Sequence, residues 1–214
     1  MATETADVDR LLAHVEATLP REGWTEWPGG WKGQSELALL DAVFSISARY
    51  GAEDTGVRSV VKAYRDRDGA PGVDDLRTLA GFDPQALVDL LQNRQQVSGR
   101  LKAEAVVEAA RKLVAAGGTS SETVDAEQHR QAYTSVHGLG KQTWNYFCML
   151  LGRPQVKADR MVVRFVEQAL DRTPTPDEAN RLVHAVAERL VVPPTDLDHA
   201  IWSATRVASR EEDT

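Results

Sequence analysis

Cysteine is nearly absent, Cys148 being the only one among 214 residues. A single thiol excludes an intramolecular disulfide and any four-cysteine zinc or iron–sulfur site assembled within this chain. It leaves Cys148 as a small apolar residue of the kind usually found in a core. Apolar runs long enough to span a bilayer are also missing, so no membrane association is expected. From Met1 to Arg10 the chain is acidic and polar, without the basic-then-apolar order of a secretory signal, and a cytoplasmic protein is expected. Cations are in the minority, 25 Lys and Arg against 32 Asp and Glu, for a formal net charge of -7. At long range that balance opposes a polyanionic partner. No convincing strand, repeat or low-complexity linker is present.

What remains is locally different from the whole. Between Arg130 and Arg164 the chain carries Arg130, Lys141, Arg153, Lys157, Arg160 and Arg164 against the single acid Asp159. A second window holds Arg94, Arg100, Lys102, Arg111 and Lys112 against Glu104 and Glu108. Charge segregated in this way is common in nucleic-acid binders, and it is equally the pattern of solvated helix faces.

Apolar spacing is helical nearly everywhere, as in Val8, Leu11, Leu12 and Val15, or Leu101, Val106, Val107, Ala110 and Leu113. Asp83-Pro84 reads as a cap followed by proline in the first helical position, and Thr175-Pro176 opens a later helix in the same way. Gly117-Gly118 ends the helix that begins near Leu101, and Pro193-Pro194 precedes the last one. The stretch Gly23 to Gly33, with Trp24, Trp27 and Trp31, is too broken by Gly and Pro for an ordinary helix. Its rings suit anchors to the core, or a surface on which bases stack.

The most informative segment starts His137-Gly138-Leu139-Gly140-Lys141-Gln142-Thr143. It continues through Gly152 and Pro154 to Asp159-Arg160, with Arg164 five residues after the aspartate. Gly138, Leu139 and Gly140 suit a tight hairpin, because glycine accepts positive φ and lets another backbone approach. A helix starting there aims unpaired N–H groups and the positive end of its dipole outward. With Lys141 and Thr143 beside them, they form a site for a phosphate oxygen of a nucleic-acid backbone. A plain turn between packed helices would show the same Gly-Leu-Gly.

In order and near-equal spacing, these residues resemble the helix-hairpin-helix DNA glycosylases, the superfamily of endonuclease III and the adenine and 3-methyladenine glycosylases. The likeness runs from about Ser35 onward, including a family-like helix at Leu39 to Ala48 and a family-like end at Leu197 to Arg206. It implies an all-α fold of two helical subdomains flanking a cleft. One spans 35–151 and ends in the helix-hairpin-helix; the other is formed by 1–34 with 152–214.

The resemblance also implies double-stranded DNA as partner and Asp159 as the catalytic carboxylate. A fixed negative charge stabilises the positive charge that builds on deoxyribose as an N-glycosidic bond breaks, and it orients the attacking water. Asp159 also suits the N-cap of the helix carrying Val162 and Val163. Gln142 stands where the bifunctional members place a Schiff-base lysine, and an amide cannot attack the sugar. Lys141 is one residue early, about 100° around the helix, so it faces phosphate instead of the pocket. A monofunctional enzyme without strand-cleaving activity is therefore expected.

Ser47 falls near the family's plug, which fills the gap left by an extruded base, and the turn from Asn93 to Arg100 falls near its wedge. Neither carries the residue usual there. No metal site, iron–sulfur cluster or other cofactor is expected, although relatives can hold a monovalent cation on hairpin carbonyls. A monomer is expected. Two other readings stay open on the residues alone: a fold that grips DNA without chemistry, and a helical protein that binds another partner.

Overall fold

The computed structural model describes residues 2–24, 30–48, 55–67, 72–153, 156 and 158–211. In chain order the helices are α1 (Ala2–Thr18), α2 (Ser35–Phe44), α3 (Gly56–Arg65), α4 (Leu76–Gly81) and α5 (Pro84–Leu91). They continue with α6 (Lys102–Ala115), α7 (Arg130–Thr134), α8 (Lys141–Leu150), α9 (Arg160–Leu170), α10 (Pro176–Leu190) and α11 (Pro194–Glu211). The fold is all-α. None of the described helices is long and apolar enough to cross a membrane.

One departure from the expected absence of strands is a two-residue ladder, β1 (Gln96–Val97) against β2 (Arg100–Leu101), antiparallel with Val97 opposite Arg100. Its tip is Ser98-Gly99, with φ of 50° and 81°. Positive φ at both central residues makes the turn whose twist suits a two-residue hairpin. Strand periodicity cannot be read from so short a ladder, and Ser-Gly is the only local signal. The helix expected at Leu39 to Ala48 also ends sooner, at Phe44, because Ser47 turns left-handed at φ 50°.

Two compact units make up the chain, Gly30–Arg153 and Met1–Gly29 with Pro154–Thr214. In the first, α2 is the central helix, and all ten of its residues are buried. It packs on α3, α6 and α8. A helix wrapped on every side shows little amphipathic period, which is why its apolar run gives a helix but no facing direction.

Its two carboxylates are both partnered. Buried Glu36 accepts from the Tyr64 hydroxyl, from the Asp75 amide at 3.1 Å and from Arg67 at 3.3 Å. Burial pushes its carboxyl up, and those three donors oppose the shift. Asp41, also buried, accepts from Trp31 Nε1 at 2.9 Å, Ser45 Oγ at 3.0 Å and the Tyr146 hydroxyl at 3.2 Å.

In the second unit Val8, Leu11 and Val15 of α1 share a core with Phe165 and Val166 of α9, Leu182 and Val186 of α10, and Ile201 of α11. Burying each such side chain contributes about 1.5–3 kcal/mol. The expected caps are in place. Asp83 Oδ1 accepts from the Gln85 and Ala86 amides at 2.9 and 3.1 Å. Thr175 and Glu178 form a reciprocal box, each side chain accepting the other's backbone N–H.

Of the tryptophan loop, Trp24 donates to the Leu19 carbonyl at 3.0 Å in the second unit, and Trp31 is tied to Asp41 in the first. Both serve as anchors. Trp27 lies outside the described residues.

Candidate active site

The hairpin of the first unit is built from Val136 to Thr143. Gly138 has φ 89°, a conformation that favours glycine, and a Cβ there would stand 3.1 Å from Val97 Cγ2 and 3.3 Å from Ser98 Cβ. Gly140 differs. Its backbone is extended at φ -133°, and a Cβ built on it would meet nothing within 4 Å. Neither left-handed geometry nor internal crowding requires glycine at 140, contrary to what a Gly-Leu-Gly hairpin suggests.

The amides are partly committed. Leu139, whose side chain is buried, donates its N–H to the Val136 carbonyl at 3.0 Å. Gly140 N–H donates to Thr143 Oγ1 at 3.1 Å, and the same hydroxyl donates back to the Gly140 carbonyl at 2.8 Å. Thr143 therefore closes the hairpin onto the first turn of α8. The first intrahelical bond runs from the Trp144 amide to the Gly140 carbonyl at 3.0 Å. That leaves the amides of the opening turn of α8 directed out of the helix end, as at any helix N-terminus.

Lys141 and Gln142 are exposed on this turn. One face of α8 below them, Trp144, Phe147 and Cys148, is buried, and Trp144 Nε1 donates to the Ala126 carbonyl at 2.8 Å. Helix α8 is thus held rigidly while its N-terminal turn stays accessible. Burial pushes the Cys148 thiol up to about 12, so it is no thiolate nucleophile.

Past α8, Gly152 is left-handed at φ 85°, and Arg153 donates to the Ser121 carbonyl at 2.9 Å. Pro154 and Lys157, two further members of the motif and its basic window, lie outside the described residues.

Asp159 belongs to the second unit. It is the N-cap of α9, and its Oδ1 accepts from the Met161 amide at 2.8 Å and the Val162 amide at 3.3 Å. Among the described residues both cap bonds fall on this one oxygen. The segment leading to it is held by Val156 and Ala158, both buried, and by Asn180 Nδ2, which donates to the Val156 carbonyl at 2.9 Å. Val162, Phe165 and Val166 then bury α9 in the core, so the carboxylate has a stiff support. Asn180 carries no sequence signal, because its role depends on α10 crossing a segment more than twenty residues earlier. Arg164 is exposed on α9.

The basic windows look different in three dimensions. Arg100 pairs with Glu108 at 2.5 Å and Glu104 at 3.6 Å, and Lys112 pairs with Glu108 at 3.3 Å. Arg111 donates to the Ala80 and Phe82 carbonyls, and Lys102 is buried. The second window is therefore spent largely on the fold. In particular Arg100 does not stand at the tip of its turn; Ser98-Gly99 does. Ser47 is exposed. Among the described residues no group of three or more His, Cys, Asp or Glu is placed to hold a metal ion.

A family model described as a domain of unknown function (DUF8548) matches residues 9–206. No curated protein gives a significant match to the sequence. Among solved structures, the 3-methyladenine DNA glycosylase MagIII of H. pylori, bound to 1,N6-ethenoadenine, superposes with a TM-score of 0.65. The match has 13% identity and covers 96% of this chain and 98% of that one. An endonuclease III in a trapped covalent intermediate with DNA gives 0.57 at 15% identity, over 94% and 85%. The 8-oxoguanine DNA glycosylase of Methanocaldococcus jannaschii gives 0.55 at 14%, over 91% and 84%. At these identities the likeness is one of fold, and the fold is that of the helix-hairpin-helix glycosylases.

Proposed function

The chain belongs to the DUF8548 family, and on its fold and the residues described above we propose that it is a monofunctional DNA N-glycosylase. The observation that carries this reading is Asp159. One carboxylate oxygen makes both cap bonds, so the group is oriented by the helix it opens while its negative charge serves chemistry. In that role the carboxylate stabilises the developing charge on the sugar and holds the attacking water.

The first turn of α8, with Lys141, grips a phosphate of double-stranded DNA, and Gln142 occupies the place of a Schiff-base nucleophile without being one. The reading calls for no cofactor. An iron–sulfur cluster such as some relatives carry does not fit a chain whose one cysteine is buried. The protein acts as a monomer in the cytoplasm, and its substrate is a damaged, alkylated or mismatched base.

The direct test is incubation with duplexes carrying a panel of lesions, followed by an assay for abasic sites. A lane positive for wild type supports the reading, and a panel wholly negative sinks it. One observation favours a second reading, DNA binding without base removal. The tip of the turn beside the hairpin is Ser98-Gly99, and Arg100 is held by two glutamates, so neither the tip nor Arg100 offers a large side chain as a wedge. Binding to every duplex with release from none would select that reading.

Two variants probe the hairpin. Lys141→Glu should weaken binding to all duplexes alike and lower the slope of log affinity against log salt by about one to two contacts. A variant that binds like wild type removes Lys141 from the interface. Gly140→Ala should cost the fold no more than about 1 kcal/mol, since the backbone is extended and the space is open, yet should weaken DNA binding by crowding the docked phosphate. Urea denaturation and a binding titration check the two halves, and unchanged affinity would mean that no backbone approaches Gly140.

A further inference from the structure

Lys102 is the least expected charge in the first unit. Its residue is 2% exposed, and it opens α6, where the positive end of the helix dipole disfavours a cation. Among the described residues no carboxylate pairs with it. Burial pushes its pKa down to about 8. A well-packed apolar side chain would fill such a place at lower cost, so packing alone does not account for an ammonium.

What the ammonium does is join two turns. Its Nζ donates to the Phe44 carbonyl at 2.9 Å and the Ile46 carbonyl at 2.7 Å, at the end of α2, and to Gln95 Oε1 at 2.9 Å, just before β1. The α2 turn carries exposed, left-handed Ser47, and the β turn carries exposed, left-handed Ser98-Gly99. The β turn in turn meets the helix-hairpin-helix. His137 Nε2 lies 3.2 Å from the Ser98 carbonyl, and Gly138 lies close against Val97 and Ser98.

Three turns, 45–48, 93–101 and 137–143, are thereby linked by contacts in one chain of supports. Although 32 of the 214 residues are acidic, none of them falls in these three segments. Turns that carry no acid of their own, continuous with an anion-binding helix end, suit a phosphate backbone.

Resting on the glycosylase reading, in which these three turns face the duplex, we propose that Lys102 is the positioning residue that fixes the α2 and β turns against the hairpin, so that both reach the duplex together where the target base is drawn out. Base extrusion is needed only for a paired, stacked substrate. Loss of the clamp should therefore act on duplex far more than on single-stranded DNA, which a general loss of fold or chemistry would not do.

The test uses wild type, Lys102→Met and Gln95→Ala. Gln95 is exposed, so its alanine variant removes the ammonium's tie to the β turn without opening the core, while the Lys102 N–H bond to the Gln95 carbonyl stays, and it carries the test should Lys102→Met fail to fold. Base release is measured from the best lesion of the panel in duplex and in single-stranded form. Unstacking is followed by fluorescence of 2-aminopurine placed beside an abasic-site analogue in a duplex. The duplex-to-single-strand ratio should fall about tenfold in both variants, the fluorescence rise on binding should shrink, and the urea midpoint of Gln95→Ala should stay near wild type.

An unchanged ratio, or equal losses on both substrates, would overturn the proposal. So would a wild type that causes no unstacking. Unstacking by wild type that both variants lose, without base release from any lesion, would support the clamp while rejecting the glycosylase reading.

Discussion

Asp159→Asn should lower base release by on the order of a hundredfold or more while leaving DNA affinity and stability close to wild type. The two expectations have one structural source. Both cap bonds of α9 fall on Oδ1, from the Met161 and Val162 amides, and an asparagine carbonyl oxygen accepts the same pair. Val156, Ala158 and the Asn180 bond that support the segment are untouched. What disappears is the negative charge, and with it the stabilisation of a sugar that becomes cationic as the base departs. Single-turnover release from the most responsive lesion, alongside a binding titration and a urea curve, separates these effects. Release by the variant at the wild-type rate would reject Asp159 as the catalytic group, and a large drop in stability would mean that capping needs the charge.

The wild type should also leave its abasic strand uncut, with nicking seen only after alkali or heat, and borohydride should trap no covalent adduct. Gln142 lies exposed on the first turn of α8 and offers an amide where an amine would be needed to form a Schiff base. Gln142→Lys should then gain a borohydride-trapped adduct and strand cleavage, an all-or-none change visible on a denaturing gel. Lys141 is next to it in sequence but about 100° around the helix, which is why it does not substitute. An adduct formed by wild type and abolished by changing Lys141 would end the monofunctional reading.

Much of this could be read along the chain because it depends on neighbours a few residues apart. Caps at Asp83, Asp159 and Thr175 were legible, since each needs only its own side chain and the next two or three amides. So was the hairpin, because left-handed geometry at Gly138 is a local demand that glycine meets. Short elements were not. Five-residue α7 and the two-residue ladder carry too few positions for any period to emerge, and they persist because longer helices hold them. Charge was legible only as a count. Arg100, Lys102, Arg111 and Lys112 read together as a basic window, yet the fold turns them toward Glu104, Glu108 and backbone carbonyls.

The sequence by itself determined the all-α class, the starts of the capped helices, the Gly-Leu-Gly turn and Asp159 as the N-cap of α9, because propensity and capping act within a few residues. Only the tertiary structure decided that Gly140 is open to the outside, that Leu139 and Thr143 are committed within the hairpin, and that Arg100 is withdrawn from its turn. It alone brought Asn180 to the Val156 carbonyl and seated Lys102 between two turns about fifty residues apart in the chain. The physical reason is that a polar side chain's partner is set by which backbone carbonyls are left without water when helices pack, and that pairing acts through space with no trace in local pattern.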